Sequence, residues 1–222
     1  MEELALSRIL HSFLDHMDSK RFAVAEKPTE QALVYILHVT FGALDKGNCS
    51  LPFFFADFCK SFDLIDHKIL FQKLFKFNLH CCLIRCVAGS LQGRSQFVGL
   101  ESSASASEYL DGGIPQGMRL GPILFAVMVN DLVPIWGPRI KFADNLTTME
   151  IVPRNSPSYI CHIVSDIRAF ACSNNMKLNS KKCKELTVDF LRNNSCVLYS
   201  PLILVARSPP IHLRWITTVF SQ

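Results

Sequence analysis

What the chain lacks narrows what it can be. It carries nine cysteines, yet no CxxC pair occurs anywhere. Cys81, Cys82 and Cys86 fall together beside His80, but nothing downstream supplies a second ligand pair, so a zinc site is not expected. Scattered thiols in odd number read as buried cysteines of a reduced, intracellular protein, in the nucleus or the cytoplasm. The N-terminus, "MEELALSRIL", has no basic run before a hydrophobic stretch, so no signal peptide is expected. The longest apolar run, Ile123 to Val129, is too short to span a bilayer, so no membrane partner is expected. There is no internal repeat, no DTG-type triplet and no Ser/His/Asp framework, which leaves a hydrolase without support. Charge of either sign is modest too. A net charge of +4 and a pI near 8.6 permit nucleic-acid binding without demanding it.

What is present is hydrophobic pattern. The 222 residues suffice for one domain with a real core. A hydrophobic share of 49% argues against disorder and suggests that some apolar surface faces a neighbour. Leu6, Leu10, Phe13, Leu14 and Met17 recur at helical spacing. A second helix is expected from Thr29 to near Gly47, with Leu33, Val34, Leu37, Phe41 and Leu44 on its apolar face. "LPFFFADF" is short, aromatic and continuous, as a buried strand is. Asp66 can cap a following helix that bears Ile69, Leu70, Phe71 and Leu74. Another helix covers roughly 80 to 92, and "RSQFVGL" alternates like a strand. "DGGIPQG" is turn chemistry before a helix from about Leu120 to Leu132. Residues 139 to 150 read as two short strands around a tip at Asp144 and Asn145. A helix at about 157 to 174, a turn and a last strand follow. From about Arg192 periodicity is lost. The order suggests an α+β sandwich, an antiparallel sheet with helices on one face.

Two acidic residues stand out. Asp57 ends the aromatic strand, and Asp144 lies at the hairpin tip. Carboxylates on neighbouring strand ends can hold hard divalent cations such as magnesium, which also take phosphate oxygens as ligands. Two such ions stabilise the attacking and leaving oxygens of an in-line phosphoryl displacement. Taken alone, the two residues read equally as an unrelated turn Asp and strand-end Asp.

Their surroundings resemble a known family. "FADFCKSFDLIDH" resembles motif A of the reverse transcriptases encoded by non-LTR (LINE-type) retrotransposons. "GGIPQGMRLGPILFAVMVNDL" resembles their motif B, "KFADNL" their motif C and "MKLNSKKCKEL" their motif D. The stretch between A and B, "LFKFNLHCCLIRCVAGSLQGRSQFV", is similar as well. The resemblance spans roughly residues 20 to 191. It implies a palm, an antiparallel sheet backed by helices, over 51–191. It further implies partial fingers over 1–50, no thumb and an unassigned tail over 192–222.

The same resemblance implies RNA-directed DNA polymerase activity by two-metal nucleotidyl transfer. Two Mg2+ ions, an RNA template, a DNA primer and a deoxynucleotide would be bound. Asp57 and Asp144 would be the metal ligands, and Phe58 would add a backbone carbonyl. Phe62 would be the aromatic steric gate that excludes a ribose 2′-hydroxyl; by itself it reads as a core aromatic. Gln116 would lie beside nucleotide and template, with Gly113 and Gly117 allowing close approach of backbone. Lys182 aligns with the motif D lysine that protonates the leaving pyrophosphate, although Lys181 and Lys184 flank it.

The chain also departs from the family pattern. Position 145 should be a second Asp, and Asn145 keeps the shape while losing the charge. In "RFAVAEKPTEQALV", Ala25 or its neighbour stands where the family carries an Arg that grips the triphosphate. No thumb, endonuclease domain or cysteine-histidine knuckle is recognisable, and the tail has the look of a frame-shifted or alternatively spliced end. Two readings follow: a reverse transcriptase palm, or a catalytically dead remnant that binds nucleic acid or a protein partner at most. A viral-type RNA polymerase is a third, disfavoured by Phe62.

Overall fold

The computed structural model describes residues 2–22, 27–100, 103–133, 137–189 and 212–216. In chain order the elements are α1 (Glu2–Leu14), β1 (Arg21–Phe22), α2 (Thr29–Leu44), β2 (Cys49–Asp57), α3 (His67–Lys76) and α4 (Cys81–Leu91). Next come β3 (Arg94–Gln96), β4 (Gly99–Leu100), β5 (Ser103–Ala104), β6 (Glu108–Leu110) and α5 (Gly121–Met128). The order continues with β7 (Arg139–Phe142), β8 (Asn145–Met149), β9 (Val152–Pro153), α6 (Ile160–Ser173), β10 (Lys184–Asp189) and β11 (His212–Ile216). The chain is α+β, and it divides into two compact units. One is built from Lys60–Asp131, Asn174–Met176 and the described residues up to Asp18; the other from Ser19–Cys59, Leu132–Ser173 and the described residues from Lys177 on.

The second unit is organised by β2. Its sequence, "CSLPFFFAD", is apolar on both sides of the pleat, so both faces must be covered. Among the described residues, seven strands form one sheet in the order β1-β7-β8-β2-β10-β11, with β9 also paired to β2. All pairings are antiparallel except β1 with β7. Leu51, Phe53 and Phe55 face α2, where Ala43, Ile36 and Val39 pack on them. Phe54 and Ala56 are buried on the opposite face, where Glu185 stands opposite Phe54. The Glu185 carboxylate acts on Cys161 of α6, which marks this as the α6 face. Helices therefore lie on both faces of the central strand.

Pro52 in a central strand needs a reason, because it has no N–H for the ladder. Its carbonyl accepts from Glu150 N at 3.0 Å. That side is where β8 has ended at Met149 and β9 begins at Val152. The missing donor falls in the interruption.

Helix α2 forms where the sequence expects it but turns a different face inward. Ala32, Thr40 and Ala43 are buried, whereas Leu33, Val34, Leu37 and Phe41 are each at least half exposed. The helix is apolar nearly all round, so periodicity cannot choose between faces. Its small residues allow close approach to the bulky aromatic strand, and that packing decides the orientation.

In the first unit, Asp66 caps α3 as expected, accepting from Lys68 N at 2.8 Å and Ile69 N at 3.2 Å. Phe13 of α1 meets Phe77 edge-on, ring centroids 5.2 Å apart. Helix α5 is buried on all sides from Ile123 to Met128. It ends earlier than the sequence suggests. Its last turn is held by the buried Lys73, whose Nζ donates to Met128 O at 2.6 Å and pairs with Asp131 at 2.5 Å. The stretch expected as one strand, "RSQFVGL", is split into β3 and β4, with Phe97 and Val98 exposed between them. Among the described residues no helix is long and apolar enough to cross a membrane.

Candidate active site

The β7–β8 hairpin closes in two residues. Phe142 pairs with Asn145, leaving Ala143 and Asp144 as the turn. The turn lies one residue earlier than expected: Asp144 is in it, but Asn145 is the first residue of β8. Ala143 has φ 49°, a left-handed conformation that costs a residue with a Cβ roughly 1–2 kcal/mol. The turn is held from below. Arg21 of β1 is buried, and its Nη2 donates to Ala143 O at 2.7 Å. Sequence reasoning missed Arg21. Its one signal is its place at the head of "RFAVAEKPTEQALV", the stretch already singled out. Ala25, expected in the triphosphate position, lies outside the described residues.

Asp57 stands at the C-terminal end of β2. Its partner across the ladder is Asn145, so the strand-end Asp lies opposite the residue that follows the turn Asp. Asp57 Oδ1 is buried and has no hydrogen-bond partner among the described residues. A carboxylate oxygen desolvated in this way wants a donor or a cation. Its other oxygen, Oδ2, lies 3.9 Å from Lys182 Nζ. Asn145 Nδ2 points to Asp144 Oδ1 at 3.4 Å, a long contact.

The approach of Lys182 is set by backbone. Asn179 N donates to Asp57 O at 2.8 Å, and Cys59 N donates to Lys177 O at 2.7 Å. Lys182 N and Cys183 N both donate to Asn179 O, at 3.0 and 2.8 Å. Cys183 is fully buried, and its Sγ lies 3.5 Å from Asp57 N. Burial pushes its thiol pKa up, so it stays neutral beside the carboxylate. Of Lys181, Lys182 and Lys184, it is Lys182 that pairs with Asp57. Phe58 is buried and bridges Leu178 across the same junction.

The remaining candidates belong to the first unit. Phe62 is half-buried, its ring centroid 5.4 Å from that of Phe125 on α5. Gln116 and Gly117 are exposed on the loop before α5, and Gly117 has φ 86°. Gly113 has φ 76°, and a Cβ there would meet Asp63 O at 2.8 Å. Its freedom thus serves close approach to its own chain. The Gly113 carbonyl accepts from His67 Nε2 at 2.8 Å and Arg94 Nη2 at 2.9 Å. Sequence reasoning assigned no role to either donor. A cleft of about 480 Å³ beside this loop is lined by Lys60, Asp63, Arg94, Gln96, Gly113 and Gln116, among others. Its lining offers two cations and two side-chain amides. At the N-terminus of α4, His80, Cys81 and Cys82 bring their ligand atoms within 4.8 Å, but His80 Nδ1 already accepts from Cys82 N at 3.3 Å.

Comparison with known proteins adds the following. The family model described as reverse transcriptase (RNA-dependent DNA polymerase) matches residues 5–201. No curated protein sequence matches. Among solved structures, telomerase from Candida tropicalis in complex with a TWJ fragment of telomeric RNA is similar with a TM-score of 0.63 at 12% identity. That match covers 82% of this chain and 33% of the telomerase. Apo telomerase from the same organism, truncated from the C-terminal domain, gives 0.57 at 14% identity over 87% of this chain and 40% of that one. Telomerase from Candida albicans in complex with the same kind of fragment gives 0.58 at 13%, over 87% and 34%. At such identities the likeness is one of fold. The chain spans between a third and two fifths of those proteins.

Proposed function

Because the chain belongs to the reverse transcriptase (RNA-dependent DNA polymerase) family, we propose that it is the palm of a retrotransposon polymerase of the non-LTR type, with part of the fingers before it. Its substrates are an RNA template, a DNA primer and deoxynucleotides. The observation that supports this reading most is the register of β2 on β8, which sets Asp57 across from the first residue after the Asp144 turn. The unsatisfied Asp57 Oδ1 fits a cation. Magnesium held by Asp57 and Asp144, with the Phe58 carbonyl, would stabilise charge on the transferring phosphoryl group. Gln116 and Gly117 orient nucleotide and template from the exposed loop, and Phe62 disfavours a 2′-hydroxyl. Lys182 holds the proton that the leaving pyrophosphate takes up.

Asn145 favours a second reading, a palm that binds nucleic acid and synthesises little. It presents a neutral amide opposite Asp57, so the site has two carboxylates where the family pattern has three. Primer extension on an RNA template, with magnesium and then manganese, separates the two. Extension that depends on Asp144 supports a polymerase. Retention of an RNA–DNA duplex without extension supports the second.

A further inference from the structure

We propose that Lys182 is a built-in counter-ion for Asp57, so that in the nucleotide-free protein its ammonium takes the electrostatic place of one divalent ion. The site then takes at most one such ion, bound more weakly than Asp57 and Asp144 alone would bind it. This rests on the assignment of Asp57 and Asp144 as the metal-binding pair.

Three observations carry it. First, Asp57 offers one oxygen to Lys182 at 3.9 Å, and the other has no hydrogen-bond partner among the described residues. The lysine thus satisfies only part of what the carboxylate can accept. Second, the placement does not depend on the flexible side chain alone. The turn that carries Lys182 is tied to the end of β2 through Asn179 N to Asp57 O, Cys59 N to Lys177 O and the Phe58–Leu178 bridge. Third, Asn145 removes a negative charge from the residue directly opposite Asp57. Asp57 and Asp144 bring at most two negative charges, and the Lys182 ammonium offsets one of them. Two divalent ions bring four positive charges, so the second would enter a site already over-neutralised.

The Lys182 side chain is 68% exposed, so water and salt screen its effect. The consequence is a modest change in metal affinity, about threefold to tenfold at low ionic strength. That exposure also means that replacing the lysine leaves the core packing intact.

The test is Mn2+ binding to the full chain, read from the free-ion electron paramagnetic resonance signal at low salt. Lys182→Met should bind Mn2+ about threefold to tenfold more tightly than the parent. Lys182→Arg should match the parent, because the charge is kept. The parent should titrate to one ion. Asp57→Asn should weaken binding in both the parent and the Lys182→Met background and erase the difference between them. Equal or weaker binding by Lys182→Met overturns the proposal, as does tightening by Lys182→Arg to the same extent or a second tight ion in the parent. Should Asp57→Asn and Asp144→Asn change nothing in any background, the metal-site assignment itself fails, and the counter-ion proposal falls with it. Thermal denaturation of each variant confirms that the protein measured is folded.

Discussion

Asn145 faces Asp57 directly across the β2–β8 ladder, Cα opposite Cα. Directly opposed residues on one face interact strongly, and two like charges there repel. A second Asp at 145 would therefore be tolerated best with a cation between the strands. The amide relieves that repulsion and at the same time weakens the reason for a cation to bind.

Asn145→Asp tests this trade directly. Without metal the variant should be less stable than the parent by about 0.5–1 kcal/mol, because the introduced carboxylate opposes Asp57. With Mn2+ the order should reverse, and affinity for the ion should rise about tenfold. Thermal melts across a Mn2+ series read both effects. Equal melting temperatures at all concentrations would contradict the cross-strand argument.

The unmodified chain should extend a primer poorly. One missing charge-stabilising group at such a site commonly costs about a hundredfold to a thousandfold in rate. Robust magnesium-dependent synthesis by the parent, abolished by Asp144→Ala, would make it a working polymerase.

Phe62→Ala separates the gate from the core aromatic. The ring packs against Phe125, so its loss should cost about 1–2 kcal/mol, as expected of a half-buried side chain. In a background that synthesises DNA, the variant should also incorporate ribonucleotides. Destabilisation without any change in sugar selectivity would leave Phe62 a packing residue only.

Gly113→Ala should be more damaging than Gly117→Ala. Both positions have positive φ, but only at Gly113 would the new Cβ strike backbone, Asp63 O at 2.8 Å. A loss of about 2–4 kcal/mol is expected at 113 and about 1 kcal/mol at 117, measured by urea denaturation.

Glu185 should make the fold weaker as pH rises. Burial raises its carboxyl pKa from 4.5 to about 6, and its Oε1 has no hydrogen-bond partner among the described residues. Folding favours the neutral form. The stability it lends is complete below pH 4.5 and is lost as pH rises through about 6. The loss is about 2 kcal/mol. Glu185→Gln should flatten this dependence and stabilise the protein at pH 8, as denaturation at pH 5 and pH 8 will show. A slope between those pH values that survives the substitution would assign it to another group.

The sequence by itself determined what depends on neighbours a few residues away. The Asp66 cap, the helical spacing of α1 and the apolar run of β2 are local facts, and the structure follows them. The motif resemblance brought Asp57, Asp144 and Lys182 forward as candidates, and they belong to one unit. Only the tertiary structure decided the rest. Which face of α2 turns inward depended on the fit of small residues against an aromatic strand, because an all-round apolar helix has no stripe to read. Which of three adjacent lysines meets Asp57 depended on hydrogen bonds between strand end and turn, spanning more than a hundred residues of chain. The position of the hairpin turn followed from pairing along β7 and β8, with Arg21 bonded to the Ala143 carbonyl from 122 residues away. Contacts so distant in sequence leave no periodicity behind, since each is chosen by the packed sheet as a whole.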